Sequence, residues 1–250
     1  MLGRADVRTR ARAGGGQWAE GTLLAELEKL EPPVAGNILG ALERLGTARV
    51  YARGETMIMA GATDSFVLLL LDGFAKVKAV DASGAGVLVD IRAAGDVVGE
   101  VAAFDGGPRT ATVTAAHQMY ARRISRDDWL RWLTGDPAAE LAVNRSLAHR
   151  SRIAVRRRTE LLRGPVIARL ARAVLDLGAQ YGTPVSDGLL VRPGLAQPEW
   201  AELIGARERR VHHALHELSV AEAITYGRCR ITVRSMPGLL RFAVLSGDDW

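Results

Sequence analysis

From Ala48 to Ile124 the hydrophobic residues fall in short runs, several alternating with polar ones, and glycine-bearing turns interrupt them about every ten residues. The turns read Arg53-Gly54-Glu55, Ala60-Gly61-Ala62, Asp72-Gly73, Ser83-Gly84-Ala85-Gly86, Gly95-Asp96 and Gly106-Gly107. Short runs with that punctuation predict a small antiparallel barrel or roll. Upstream, Leu23, Leu24, Leu27 and Leu30 keep helical spacing, which predicts a short helix stopped by Pro32-Pro33 and another around Ile38 to Leu45. Met1 to about Gln17, with its Gly14-Gly15-Gly16 run, has no period and reads as a disordered arm.

The texture changes at Asp136-Pro137, where a helical pattern begins and continues to Gly164-Pro165. Leu147, Ala154 and Leu161 recur every seven residues, and Leu141, Ala148, Val155 and Leu162 repeat the same spacing on an adjacent line. Such a seam suits a coiled-coil-like pairing with a second helix, and packing of one face on the chain's own roll competes for part of the stripe. Arg145, Arg150, Arg152 and Arg156-Arg157-Arg158 lie mostly off the seam and read as a solvated face. Gly164-Pro165 removes a helical N–H and places a hinge there.

Beyond the hinge a helix is expected from about Val166 to Gln180, then a loop rich in Gly, Pro and Ser. From Leu195 to Leu218 two short helices meet at Gly205, the first apolar at Trp200, Leu203 and Ile204 and the second at Val211, Leu215 and Leu218. That is the pattern of a helix-turn-helix, with Gly205 able to take the left-handed backbone of the tight turn. Ala223 to Val233 supplies two β-like runs about a Gly227-Arg228 turn, a wing with a basic tip. The whole reads as an α+β chain. Its expected parts are an arm and short helices over 1–46, an antiparallel β-roll over 47–135, a long dimerisation helix over 136–164 and a winged helix-turn-helix over 165–250.

Composition narrows the function classes. A chain of 250 residues that is 48% hydrophobic can bury one large core or two small ones. Its formal net charge is +5, and the 33 basic residues are all arginine except Lys29, Lys76 and Lys78, an excess that favours an anionic partner. The single cysteine, Cys229, excludes an intramolecular disulfide framework and an all-cysteine zinc or iron–sulfur centre. No secretory signal is visible, and the longest apolar run, Phe66 to Leu71, is far below the ~20 residues of a membrane span. A cytoplasmic protein without membrane contact is expected.

The candidate chemistry sits in two places. Gly99-Glu100-Val101-Ala102, followed seven residues on by Arg109-Thr110-Ala111-Thr112-Val113, puts a carboxylate, an arginine and a hydroxyl around a glycine-rich loop. A guanidinium can grip a phosphodiester with paired bonds, Thr110 can add a donor, backbone N–H groups near Gly99 can approach closely, and Glu100 can accept from a ribose hydroxyl. The bland alternative is a polar hairpin turn followed by a buried strand. The second place is the later helix of the pair. With about 100° per residue from Val211, Arg209 and His213 point almost directly away from the buried face, with Arg210, His212 and His216 on its flanks. A major groove would meet that face, and Gln197, Arg207, Arg209, Arg210, His212 and His213, with Arg228 and Arg230 on the wing, are the candidate DNA contacts. No nucleophile, metal cluster or acid–base pair accompanies the cassette, so an enzyme is not expected, and His117 and His149 read as structural or solvent-facing.

The cassette, together with Gly54-Glu55, Gly61, Leu71-Asp72-Gly73-Phe74-Ala75-Lys76-Val77 and Gly95-Asp96 in that order, resembles the effector domain of the Crp/Fnr family of bacterial transcription regulators. The resemblance implies a cyclic nucleotide (cAMP first, cGMP second) as allosteric ligand and no prosthetic group. It also implies a homodimer through the long helix, a double-stranded DNA operator and RNA polymerase as a further partner. In this picture the ligand shifts the population of dimer arrangements and so spaces two recognition helices about one DNA turn, ~34 Å, apart. Two departures qualify it. The family's usual Ser-Arg-Glu-Thr-Val is here Arg207-Glu208-Arg209-Arg210-Val211, so the operator stays open. Where cAMP-binding relatives carry a base-contacting Thr-Ser pair, this chain has Ala154-Val155, neither with a side-chain hydrogen-bonding group. The phosphate and ribose sites are kept while the base reader is lost. Another small anion, or an effector-independent DNA-binding dimer with a relic pocket, therefore stays open beside the cyclic nucleotides.

Overall fold

The structure is a computed structural model that describes residues 18–80, 86–160 and 163–244. The arm to Gln17, most of the Ser83–Gly86 turn, and Leu161 and Leu162 of the seam lie outside the described residues. The chain divides into two compact units, one of residues 1–86 and 91–151, the other of 87–90 and 152–250, so that the partition falls inside the long helix.

In chain order, helices α1 (Leu23–Glu28) and α2 (Pro32–Arg44) precede eight strands, and α3 (Glu100–Asp105), α4 (Arg126–Gly135) and α5 (Pro137–Glu160) are threaded among or after them; all of this lies in the first unit except residues 87–90 and the end of α5 from Arg152. The two prolines expected to stop α1 also open α2, at the first helical positions, where the missing N–H costs no intrahelical bond and the fixed φ is already helical. Strands β1 (Thr47–Tyr51), β8 (Met119–Ile124), β3 (Val67–Asp72) and β6 (Val97–Val98) form one antiparallel sheet. The other runs β2 (Thr56–Ile58), β7 (Thr112–Ala115), β4 (Phe74–Val80) and β5 (Gly86–Ala93).

Strand β3 explains how the roll coheres. Its alternate side chains go to opposite faces, so Leu68 and Leu70 enter a core between the sheets with Met57, Val113 and Met119, while Val67, Leu69 and Leu71 enter a second core with Leu27, Leu42, Trp129 and Val143. A strand buried on both faces must be apolar throughout, which is why the longest hydrophobic run of the chain lies here. Trp129 and Trp132 pair with ring centroids 5.1 Å apart, and the Trp132 indole N–H donates to the Ile38 carbonyl. The start of α5 seals this layer with Ala139, Ala142 and Val143.

In the second unit, α6 (Val166–Tyr181) buries Ile167, Leu170, Val174 and Leu177. The segment expected as a loop contains a hairpin, β9 (Thr183–Val185) and β10 (Gly188–Val191), which extends the wing to a sheet of order β11–β12–β10–β9. Its strands are too short, and too mixed with Gly, Pro and Ser, to show a period of their own; pairing of Leu189–Val191 with Ile231–Val233, and of Thr183–Val185 with Gly188–Leu190, makes them strands. Helices α7 (Gln197–Leu203) and α8 (Glu208–Val220) precede β11 (Ile224–Gly227) and β12 (Arg230–Val233), and α9 (Met236–Ala243), which the sequence reading missed, packs on α6.

Candidate functional site

The cassette is built around Gly99. Its φ is +87°, and a Cβ there would lie 2.6 Å from Arg109 Nη1 and 2.9 Å from the Phe66 carbonyl oxygen, so both the backbone and the packing require glycine. Helix α3 starts at Glu100 and is capped after Asp105 by Gly106, φ +70°, after which the chain turns to Arg109 and enters β7. Val101 is exposed, Ala102 is buried in the helix packing, Thr110 is exposed and Ala111 is half-buried.

Arg109 is at the cassette and closes on the chain itself. Nε donates to Asp64 Oδ1 at 2.6 Å, Nη1 to the Gly99 carbonyl at 2.8 Å and Nη2 to the Phe66 carbonyl at 2.7 Å. The guanidinium carbon lies 4.6 Å from the centroid of the Phe66 ring, whose environment also includes Arg123 at 3.9 Å. Glu100 is likewise occupied: it is buried, with Oε1 3.2 Å from Arg150 Nη1.

Arg150 corrects the expectation of a solvated arginine face on the long helix. Its Nη1 donates to the Val97 carbonyl at 2.8 Å and lies 3.4 Å from Asp96, which in turn pairs with Arg92 and accepts from the Val97 N–H. The residue before the cassette strand, the cassette carboxylate and the long helix thus share one charge network. Only its spacing from the buried Ala139, Val143 and Ser146 could have pointed to Arg150, since all lie on the helix face turned to the roll. Arg157 breaks the expectation too. It is buried, with Nε 2.9 Å from Asp176 and Nη1 2.6 Å from Asp90, all within the second unit. Burial alone would lower its pKa, and the two carboxylates outweigh that and hold it above the ordinary arginine value.

The opposite side of α5 leaves Leu141 and Val155 exposed at 46% and 63%, with Ala148 and Ala154 exposed beside them, while Leu147 is half-buried against the first unit's core. The competing uses of the stripe therefore divide it: part seals the roll and part stands in water. Ala154 and Val155 place no hydrogen-bonding side chain there.

In the second unit the turn between α7 and α8 is held at Gly205, φ +60°, whose carbonyl and that of Ile204 each accept from Arg169 Nη1 at 3.0 Å. Glu199 reaches back to the Ala196 N–H and caps α7. Val211, Leu215 and Leu218 are buried, and Arg207, Arg209, Arg210, His212, His213 and His216 are exposed, as the helical spacing predicts. Gln197 is half-buried at the start of α7. His213 is engaged: its Nε2 lies 2.8 Å from Glu217 one turn on. Arg228 and Arg230 are exposed at the β11–β12 turn, which Cys229 completes with φ +59°. Among the described residues no helix is long and apolar enough to cross a membrane, and no group of three His, Cys, Asp or Glu is placed to hold a metal ion.

A roll with a glycine-led arginine cassette is followed along one chain by a long helix and a winged helix-turn-helix, an arrangement shared with transcription regulators that carry a cyclic nucleotide-binding domain. The family profile of that domain matches residues 48–136. A relative from Mycobacterium tuberculosis, a CRP-like cAMP-activated global transcriptional regulator, is 29% identical over 209 residues, covering 84% of this chain and 87% of the relative. A CRP-family transcriptional regulator from Thermus thermophilus has the same fold, with TM-score 0.67 and 22% identity over 79% of this chain and 97% of that one. So does a c-di-GMP-responsive global regulator from Xanthomonas campestris, with TM-score 0.69 and 17% identity over 80% of this chain and all of that one, 100%. This chain therefore carries a cyclic nucleotide-binding domain over residues 48–136 and is similar to CRP-like transcription regulators, and those relatives and structural neighbours are regulators rather than enzymes.

Proposed function

We propose that the protein is a homodimeric DNA-binding regulator whose operator affinity is set by a cyclic nucleotide, cAMP before cGMP, held at Gly99, Glu100, Val101, Ala102, Arg109, Thr110 and Ala111. The observation that carries this is the cassette geometry: a glycine that tolerates no side chain brings the backbone against a buried arginine and a buried carboxylate. The cAMP-activated relative supports the first nucleotide. The aliphatic Ala154-Val155 pair argues for weak discrimination among bases. In this reading the roll of 47–135 is the effector domain, the helix of 136–164 carries the dimer contact through Leu141, Ala148 and Val155, and 165–250 reads the operator with Gln197, Arg207, Arg209, Arg210, His212, His213, Arg228 and Arg230. The ligand acts through its difference in affinity between two dimer arrangements.

A specific observation favours a second reading, an effector-independent dimer: Arg109 and Glu100 are both satisfied by the chain's own groups. Calorimetric titration with cAMP, cGMP and c-di-GMP, followed by DNA-binding assays with and without the best binder, separates the two. Micromolar binding that changes operator affinity is expected, and DNA binding indifferent to all three would establish the second reading.

A further inference from the structure

The phosphate site carries its own anion. Arg109 side-chain exposure is 2%, whereas Asp64, the charged group paired with it among the described residues, is 47% exposed. Three of the five guanidinium N–H groups have acceptors, two of them backbone carbonyls that cannot leave without moving β3 or the cassette turn, and the third is the Asp64 carboxylate. With the side chain so enclosed, no edge of the guanidinium lies open to an incoming anion while Asp64 stays in place. Asp64 belongs to the loop between β2 and β3, and that loop's backbone is pinned to the same segment: the Gly61 N–H donates to the Arg109 carbonyl and the Arg109 N–H to the Ala62 carbonyl, each at 2.8 Å. The Ala60 N–H adds a bond to Thr112 Oγ1 at 3.1 Å. Withdrawal of Asp64 from Arg109 thus needs a rotation of one half-exposed side chain and no displacement of the loop.

We propose that Asp64 is an internal counter-anion that occupies the phosphate position on Arg109, so that the effector enters by exchanging one monoanion for another. The inference rests on the nucleotide-binding reading above. The exchange keeps a single counter-charge on a buried guanidinium, which would be costly to leave bare, and it releases the carboxylate to water, where it is well solvated. Asp64 therefore sets the effector threshold: it stabilises the ligand-free roll and weakens every anionic ligand by the strength of its own charge-assisted bond.

The test is calorimetry of the full chain with cAMP and cGMP, using wild type, Asp64→Asn, Asp64→Ala and Asp64→Glu, with thermal unfolding of each protein measured free and saturated. Removing the charge should tighten binding about five- to tenfold, the margin between a charge-assisted and a neutral hydrogen bond, and Asp64→Glu should stay near wild type. The free Asn and Ala variants should melt below wild type and the saturated ones beside it, a difference that a purely structural role would not produce. Nucleotide binding by Asp64→Asn or Asp64→Ala in the absence of measurable wild-type binding would support the proposal most directly. Equal or weaker binding by both variants, with wild type binding, would overturn the exchange and leave the nucleotide reading intact. No binding by any of the proteins would overturn that reading and the exchange with it.

Discussion

Arg109→Ala should destabilise the ligand-free roll as well as abolish effector binding, and the structure sets the size of the effect. The substitution strands the Gly99 and Phe66 carbonyls and removes the ion pair to Asp64 together with the guanidinium on the Phe66 ring. A buried carbonyl left unpaired costs ~1–3 kcal/mol, but Gly99 keeps a long bond from the Ala103 N–H at 3.4 Å, and Asp64 is exposed enough to recover much of its hydration. The desolvation of the guanidinium itself is also relieved, so the net loss should be about 2–4 kcal/mol, a large part of an ordinary domain's ~5–15 kcal/mol. Arg109→Lys keeps a charge for Asp64 and lacks the planar fork, so about half that loss is expected. Urea unfolding without ligand, followed by fluorescence in a Trp200→Phe, Trp250→Phe background so that the signal comes from Trp18, Trp129 and Trp132 of the first unit, reads the roll's own transition, and the m-value should be unchanged. Stability of Arg109→Ala within ~0.5 kcal/mol of wild type would show that the internal acceptors contribute nothing and refute the reasoning. The corollary is practical: loss of nucleotide binding in Arg109→Ala assigns Arg109 to the ligand only after the folded fraction is known.

Three other outcomes follow from the same contacts. Leu141→Glu with Val155→Glu should give a folded monomer by light scattering, because both side chains stand in water in the single chain, whereas Leu147→Glu should unfold the roll it packs on; a dimeric double variant would move the interface elsewhere. Arg209→Ala should cost about 1–3 kcal/mol on the best operator and relax one position per half-site in selection from randomised DNA, while Arg228→Ala and Arg230→Ala should weaken all sequences alike and lower the salt dependence by about one ion each. Unchanged preference for Arg209→Ala would remove it as the base reader. Arg157→Met should lower the melting temperature of the second unit by the equivalent of about 1–3 kcal/mol, because Asp90 and Asp176 lose a buried partner although Asp176 keeps Arg156, and an unchanged melt would show the pair to be energetically idle.

By itself the sequence determined whatever depends on neighbours along the chain. The apolar run of β3, the glycine turns of the roll, the helix pair around Gly205 and the exposed face of Arg209 and His213 follow from side-chain period and backbone freedom, which are local properties. The cassette was legible for the same reason, since Gly99 and Glu100 are adjacent and Arg109 lies one short helix away. Tertiary structure alone decided the partners. Asp64 meets Arg109 across 45 residues of sequence, and Arg150 meets the Val97 carbonyl across 53. The hairpin β9–β10 became strands only by pairing, β9 with β10 and β10 with β12. A guanidinium's chemistry is written in its residue type, but whether it faces water, a phosphate or a carboxylate of its own chain depends on which acceptors the closed fold delivers to it. An arginine read as solvated could therefore be buried, and one read as open to a ligand could already hold an anion.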